Sequence, residues 1–280
     1  MIVDFHTHVF PEEILRNRES YAKRDPWFAE CYGNPRSRAV EASALIASMD
    51  RAGIDVSVAC GFCWRDPGLC AFHNDYIIDV VRRYPNRLVG LAAVQPTRGA
   101  GVVAELQRCL SSGLRGVGEL NADAQGFGLD DFALLEPMVS TLVDAGALML
   151  LHTSEPVGHL YPGKGNADPR VVHRFISRFP NLKLICAHWG GGLPFYELMP
   201  EVAAAAKNVL YDTAASTLLY NMNIFRSVAE IVGHHKILFG TDYPLLRQDN
   251  FLNRVRGLEL PRPTLNAILG GNALRLLGNG

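Results

Sequence analysis

The stretch MIVDFHTHVF (1–10) reads as a strand buried on both faces, except that His6 and His8 place two imidazoles in its apolar run. Continuous apolar character without alternation marks a strand of a parallel sheet covered by helices. Residues two apart on a strand point to the same side, so His6 and His8 share one face near the strand's exit. Two imidazoles aimed at one point form a chelate, whereas a single core histidine is usually satisfied by hydrogen bonds.

Seven further runs of the same kind follow: VSVACGF (56–62), RLVGLAAV (87–94), LRGVGEL (114–120), ALMLLH (147–152), LKLICAH (182–188), VLYDTA (209–214) and KILFGTD (236–242). Helical spacing of apolar residues predicts helices over 38–53, 72–84, 101–113, 132–146, 169–179, 194–206 and 222–233. Gly53, Gly113, Gly146 and Gly233 stop four of them just before the next strand. Eight strands alternating with helices predict an α/β fold, a (β/α)8 TIM barrel. At 280 residues, 48% hydrophobic and 20% charged, the chain suits one such domain over 1–280. The segment at about 11–36 is expected as a loop insertion over the C-terminal mouth, joined there by the long loop 152–169.

The formal net charge is -1, and Lys and Arg are scattered, which argues against a nucleic-acid partner or an anionic membrane surface and for a small-molecule partner. No apolar stretch approaches the roughly 18 residues of a membrane-spanning helix. Six cysteines spread along the chain read as reduced thiols, and a cytoplasmic location is expected. CGFC (60–63) has no second pair to complete a zinc site and reads as small thiols packed at a strand end.

A TIM barrel has a packed interior, so its chemistry sits at the C-terminal ends of its strands. There the runs place His6 with His8 beyond it, Glu119, His152, His188 and Asp242, from strands 1, 4, 5, 6 and 8. All six are metal-ligand types.

Taken in order, DFHTHVFP (4–11), LLHTSEP (150–156), ICAHWGGGLPF (185–195) and FGTDYPL (239–245) resemble the amidohydrolase superfamily. The resemblance is strongest to its amidohydrolase-related branch, amidohydrolase family 2, and extends to GNALRLL (271–277). That branch holds small-molecule hydrolases, decarboxylases similar to aminocarboxymuconate semialdehyde decarboxylase, and hydratases. The resemblance implies a barrel of the metallo-dependent hydrolase type, often dimeric. It makes His6, His8, His152 and Asp242 metal ligands, Asp242 also a proton acceptor from water, and His188 a second-metal ligand or an acid/base. Imidazole and carboxylate donors suit zinc first, with manganese, iron and cobalt also compatible, as one ion or two.

Glu119 departs from the family's decarboxylases, many of which carry a lysine-containing segment at this strand end. A carboxylate there is similar to the TatD-type deoxyribonucleases, and with His152 and His188 it would support a second ion suited to hydrolysis. The alternative is that Glu119 orients a ligand histidine. The expectation is therefore a metal-dependent hydrolase of a small molecule, attacking a C–O or C–N bond in a lactone, ester or amide with metal-activated water. The alternative is a metal-dependent decarboxylase or hydratase of an unsaturated or aromatic carboxylic acid. Trp189, Tyr243, Phe127 and His159 are expected to meet substrate, and His73, His173, His234 and His235 to be surface or capping groups.

Overall fold

A computed structural model describes residues 1–278. Its eight strands are β1 (Val3–His8), β2 (Val56–Cys60), β3 (Leu88–Gly90), β4 (Gly116–Leu120), β5 (Leu148–Leu151), β6 (Lys183–Cys186), β7 (Val209–Asp212) and β8 (Ile237–Leu238). They pair in parallel as two arcs, β1 to β3 and β4 to β8. Backbone bonds close the arcs into one barrel. On one side the Ala92 N–H donates to the Gly116 carbonyl at 2.8 Å and the Gly118 N–H to the Ala92 carbonyl at 3.0 Å. On the other, the N–H groups of Phe5 and His8 donate to the carbonyls of Phe239 and Tyr243, each at 2.7 Å.

Within β5 the alternation shows why these strands are apolar throughout: Leu148 and Leu150 fill the barrel interior, while Met149 and Leu151 pack outward under the helices. The surrounding helices include Ala42–Ala52, Pro67–Arg83, Ala100–Ser111, Phe132–Asp144, Pro169–Arg178, Ile224–Val232 and Gln248–Arg256. Two of them start at an Asp-Pro dipeptide: Asp66 and Asp168 accept from the free N–H groups of the first turn, and the following proline has no N–H to leave unpaired. Among the described residues no helix is long and apolar enough to cross a membrane.

Two expectations change. The segment 11–36 is mostly helical, as Glu12–Arg16, Arg18–Arg24 and Pro26–Tyr32. A third Asp-Pro start, Asp25 accepting from the Phe28 N–H at 2.9 Å, and burial of Phe10, Ile14, Tyr21 and Phe28 against Phe62 and Trp64 supply the order that a loop lacks. The predicted helix 194–206 divides into the 3-10 segment Leu193–Leu198 and the helix Pro200–Ala205, because Pro200 cannot donate to the preceding turn.

His73, expected at the surface, is fully buried. Its Nε2–H donates to the Val9 carbonyl at 2.8 Å, and its Nδ1 accepts from the Phe62 N–H at 3.3 Å and the Trp64 Nε1–H at 3.1 Å. Burial pushes its pKa down to about 4 from 6.5. The unfolded chain therefore binds the extra proton first: the stabilisation is whole above pH 6.5 and is lost as pH falls toward 4, a change of ~3 kcal/mol. His73→Gln should be less stable than wild type at pH 7.5, and urea unfolding should show that gap narrowing by about 2 to 3 kcal/mol at pH 4.5. A pH-independent gap would refute the buried neutral imidazole.

Candidate metal centre

The strand ends bring all six ligand-type residues together, and all but the fully buried His6 line one cavity. The Nε2 atoms of His6 and His8, on β1, lie 3.0 Å apart. Glu119 Oε2, from β4, is 3.6 Å from each. Asp242 Oδ1, beyond β8, is 3.4 Å from His8 Nε2 and 3.8 Å from His6 Nε2. The other oxygen of Glu119, Oε1, lies 2.8 Å from His152 Nδ1 and 3.3 Å from His188 Nε2. Glu119 thus belongs to two groups of three donors, one with His6 and His8 and one with His152 and His188.

Local backbone aims these groups. His188 (φ 55) and Asp242 (φ 62) both occupy the left-handed region that a side chain seldom adopts. The Asp242 N–H is held by the His6 carbonyl at 2.9 Å, and the His188 N–H by Asp212 Oδ1 at 2.9 Å.

The donor chemistry fits a cation. His152 Nε2 faces the Gly163 carbonyl at 2.9 Å and His188 Nδ1 the Ala214 carbonyl at 3.3 Å, so each ring turns its other nitrogen inward to Glu119. Burial opposes ionisation of Glu119, yet His152 and His6 hold it well below the usual carboxylate range. Asp242 likewise falls to about 2 against burial, held by His8 and His6. Burial disfavours a charged His188, but the Glu119 carboxylate raises it to about 9. Buried carboxylates here are compensated by protons on imidazoles, a positive charge that a bound cation would replace.

Two buried carboxylates escaped the sequence reading. Asp4 accepts from the Thr241 N–H at 2.9 Å, the Thr241 hydroxyl at 2.6 Å and Gln248 Nε2 at 2.7 Å, tying β1 to the residue before Asp242. Burial pushes its pKa up to about 6. Asp212 Oδ2 accepts from His6 Nδ1–H at 2.8 Å, and its Oδ1 accepts from the Ala214 N–H at 3.0 Å as well as from His188. The signal was present, since within VLYDTA an acid stands at the exit of β7, as ligand-type residues stand at the other strand exits.

Above the floor lies a cavity of about 690 Å³ with Trp27, Tyr32, Phe62 and Tyr161 in its wall and His159 on its exposed side. Trp27, Tyr32 and Arg36 come from the segment read as a loop and Arg38 from the start of the predicted helix 38–53, and none of them was singled out. Three expected substrate contacts do not line this cavity. Trp189 is fully buried, its Nε1–H donating to Ser216 Oγ at 2.7 Å and its ring against Phe225. Tyr243 is buried with its hydroxyl on the Ala44 carbonyl at 3.3 Å, and Phe127 packs on the core. Adjacency to a ligand residue misled here, because successive strand-end side chains diverge.

The amidohydrolase family model matches residues 3–278. The chain belongs to the amidohydrolase family. It is 24% identical to a 2-amino-3-carboxymuconate-6-semialdehyde decarboxylase from Dictyostelium discoideum, over 99% of this chain and 91% of that one. It is 25% identical to a gamma-resorcylate decarboxylase from Polaromonas, over 72% and 74%. A solved 5-carboxyvanillate decarboxylase from Novosphingobium aromaticivorans, complexed with manganese and 4-hydroxy-3-methoxy-5-nitrobenzoic acid, shares the fold. That likeness has a TM-score of 0.81 at 18% identity, over 99% of this chain and 96% of that one. These amidohydrolase relatives overturn the expectation of a hydrolase: they are decarboxylases, the class held as the alternative. Glu119 at β4 was given too much weight, since a carboxylate at one strand end does not by itself select the bond that breaks.

Trp189→Phe should lower stability by about 1 kcal/mol through the lost bond to Ser216 while leaving ligand affinity unchanged. Denaturant unfolding and a ligand titration test both halves, and a change in affinity would return Trp189 to the site.

Proposed function

We propose that this amidohydrolase is a metal-dependent decarboxylase of an aromatic or unsaturated carboxylic acid. The observation that carries the reading is the cluster of four imidazoles and two carboxylates under an aromatic-walled cavity, in a chain aligned end to end with a decarboxylase. His6, His8, His152 and Asp242 would hold the ion. Glu119 sits in both donor groups, but the second group needs His188 Nε2, which the reaction uses to carry its proton, so the reading is a single ion, and the mixed nitrogen and oxygen donors suit zinc or manganese.

A bound divalent cation supplies a fixed positive charge that anchors the substrate's carboxylate and offsets the anionic floor. The chain's own groups do the rest. Trp27, Tyr32, Phe62 and Tyr161 offer flat apolar faces that hold a planar substrate and exclude water. Arg36 and Arg38, without a carboxylate partner among the described residues, draw anions to the same cavity. His188 presents Nε2 toward the cavity and delivers a proton to the carbon that carries the carboxylate. The bond from that carbon to the carboxylate then breaks, its electron pair stays on the carbon side as the new C–H bond is completed, and carbon dioxide leaves.

Zinc- or manganese-loaded protein should release carbon dioxide from a member of a panel of hydroxylated benzoic acids and unsaturated carboxylic acids. In deuterium oxide the product should carry deuterium at the vacated carbon. Chelation should abolish turnover and metal should restore it, and absence of carbon dioxide from every acid would sink the reading. His188→Asn should lower kcat about 100-fold or more with metal content retained. Elemental analysis should find about one metal equivalent per chain, falling to almost none in the His6→Ala, His8→Ala double variant. A count that stays near one in Glu119→Ala would leave that residue as an orienting partner of the ligand histidines, whereas two equivalents in wild type would assign His188 to a second ion.

A further inference from the structure

His152 and His188 turn their outward nitrogens to backbone carbonyls, but His6 turns its own to a carboxylate. Asp212 is fully buried, and so is His6. One oxygen of Asp212 takes the His6 Nδ1–H at 2.8 Å, and the other takes two backbone N–H groups, from His188 at 2.9 Å and Ala214 at 3.0 Å. The two amides leave Asp212 Oδ1 only the role of acceptor. We infer that Asp212 is a positioning residue that locks His6 in the tautomer with its proton on Nδ1 and its lone pair on Nε2, and that through the same carboxylate it holds His188 in its left-handed turn.

The argument follows from which atoms donate. A neutral imidazole has one N–H, and a carboxylate accepts without donating, so the proton of His6 must sit on Nδ1. His6 Nε2 is then the nitrogen free to lose its proton to a cation at the point shared with His8 and Glu119. An ionised neighbour also strengthens the basicity of that nitrogen, the known effect of a carboxylate behind a ligand histidine. The second oxygen matters equally. His188 has φ 55, and its N–H is directed to Asp212 from β7, so one side chain sets the ring of a β1 residue and the main chain beyond β6. The two donor groups that share Glu119 are thereby braced from behind by a single buried carboxylate.

Asp212→Asn separates this from a general structural role. The two amides hold the retained oxygen on their side, because turning the amide group would face N–H to N–H. The new NH2 then donates to His6 Nδ1, which must give up its proton, and the other tautomer puts hydrogen on Nε2 where the metal ligand is needed. The variant keeps size and backbone bonds but reverses one hydrogen bond. This inference rests on the metal-binding reading of His6, and two readouts keep the two apart. In the metal-free protein, 15N shifts of His6 should report Nδ1 as the protonated nitrogen in wild type and as the unprotonated one in Asp212→Asn. In chelator competition with zinc, Asp212→Asn should bind about 10 to 100 times more weakly than wild type.

A double-mutant cycle completes the test. In a His6→Ala background, Asp212→Asn should add no further loss of zinc affinity, since its effect passes through His6. The inference fails if Asp212→Asn binds zinc within threefold of wild type, or if its penalty persists without His6. It also fails if the His6 shifts are unchanged. Wild-type protein that binds no zinc would overturn the metal reading while the 15N measurement still decides the tautomer.

Discussion

Residues 6 and 242 meet because the first and last strands of the barrel are hydrogen bonded, and the site depends on that closure. The Asp242 N–H to His6 carbonyl bond, at 2.9 Å, and the His8 N–H to Tyr243 carbonyl bond, at 2.7 Å, place both ends of the chain on one ring of backbone. Asp4 reinforces the joint from inside by taking Thr241 and Gln248 together. Loosening this seam would separate Asp242 from the two β1 histidines without touching any of the three, which explains why so much buried polarity is concentrated there.

That polarity is costly unless every charge has a partner. Five acidic and imidazole groups with little or no solvent contact, Asp4, His6, His8, His188 and Asp212, lie within a few residues of the strand exits. Hydrogen bonds satisfy most of them, but the inward nitrogens of His6 and His8 face one another at 3.0 Å, and two carboxylates converge on the same region. Such a cluster is unfavourable as packing and favourable around a cation. The contrast with His73 is instructive: it is equally buried, but both its nitrogens are used by the surrounding backbone and Trp64, so it holds two strand exits together and has no capacity left for a ligand.

The amidohydrolase fold supports several chemistries on one floor, so the walls select among them. Here the wall is supplied largely by the helical segment 12–32 and the loop after β5, and it is aromatic with two arginines at its margin that have no carboxylate partner among the described residues. A flat anionic substrate suits that enclosure. The ligand floor read by itself pointed toward hydrolysis through Glu119, and it was the likeness of the whole chain to decarboxylases that redirected the reading.

The sequence by itself determined the barrel, because eight apolar runs separated by helical periods leave few other ways to bury both faces of each strand. It also singled out His6, His8, Glu119, His152, His188 and Asp242 as metal-ligand types at strand exits, and the barrel brings all exits to one mouth. Only the tertiary structure decided what surrounds them. Whether Trp189 faces cavity or core depends on a left-handed turn at residues 188 and 189, which local periodicity does not register. The helical order of 12–32 came from aromatic burial against Phe62 and Trp64, a contact between distant segments. Asp212 acquired its role from partners 24 and 206 residues away, and spacing along the chain carries no record of such pairs.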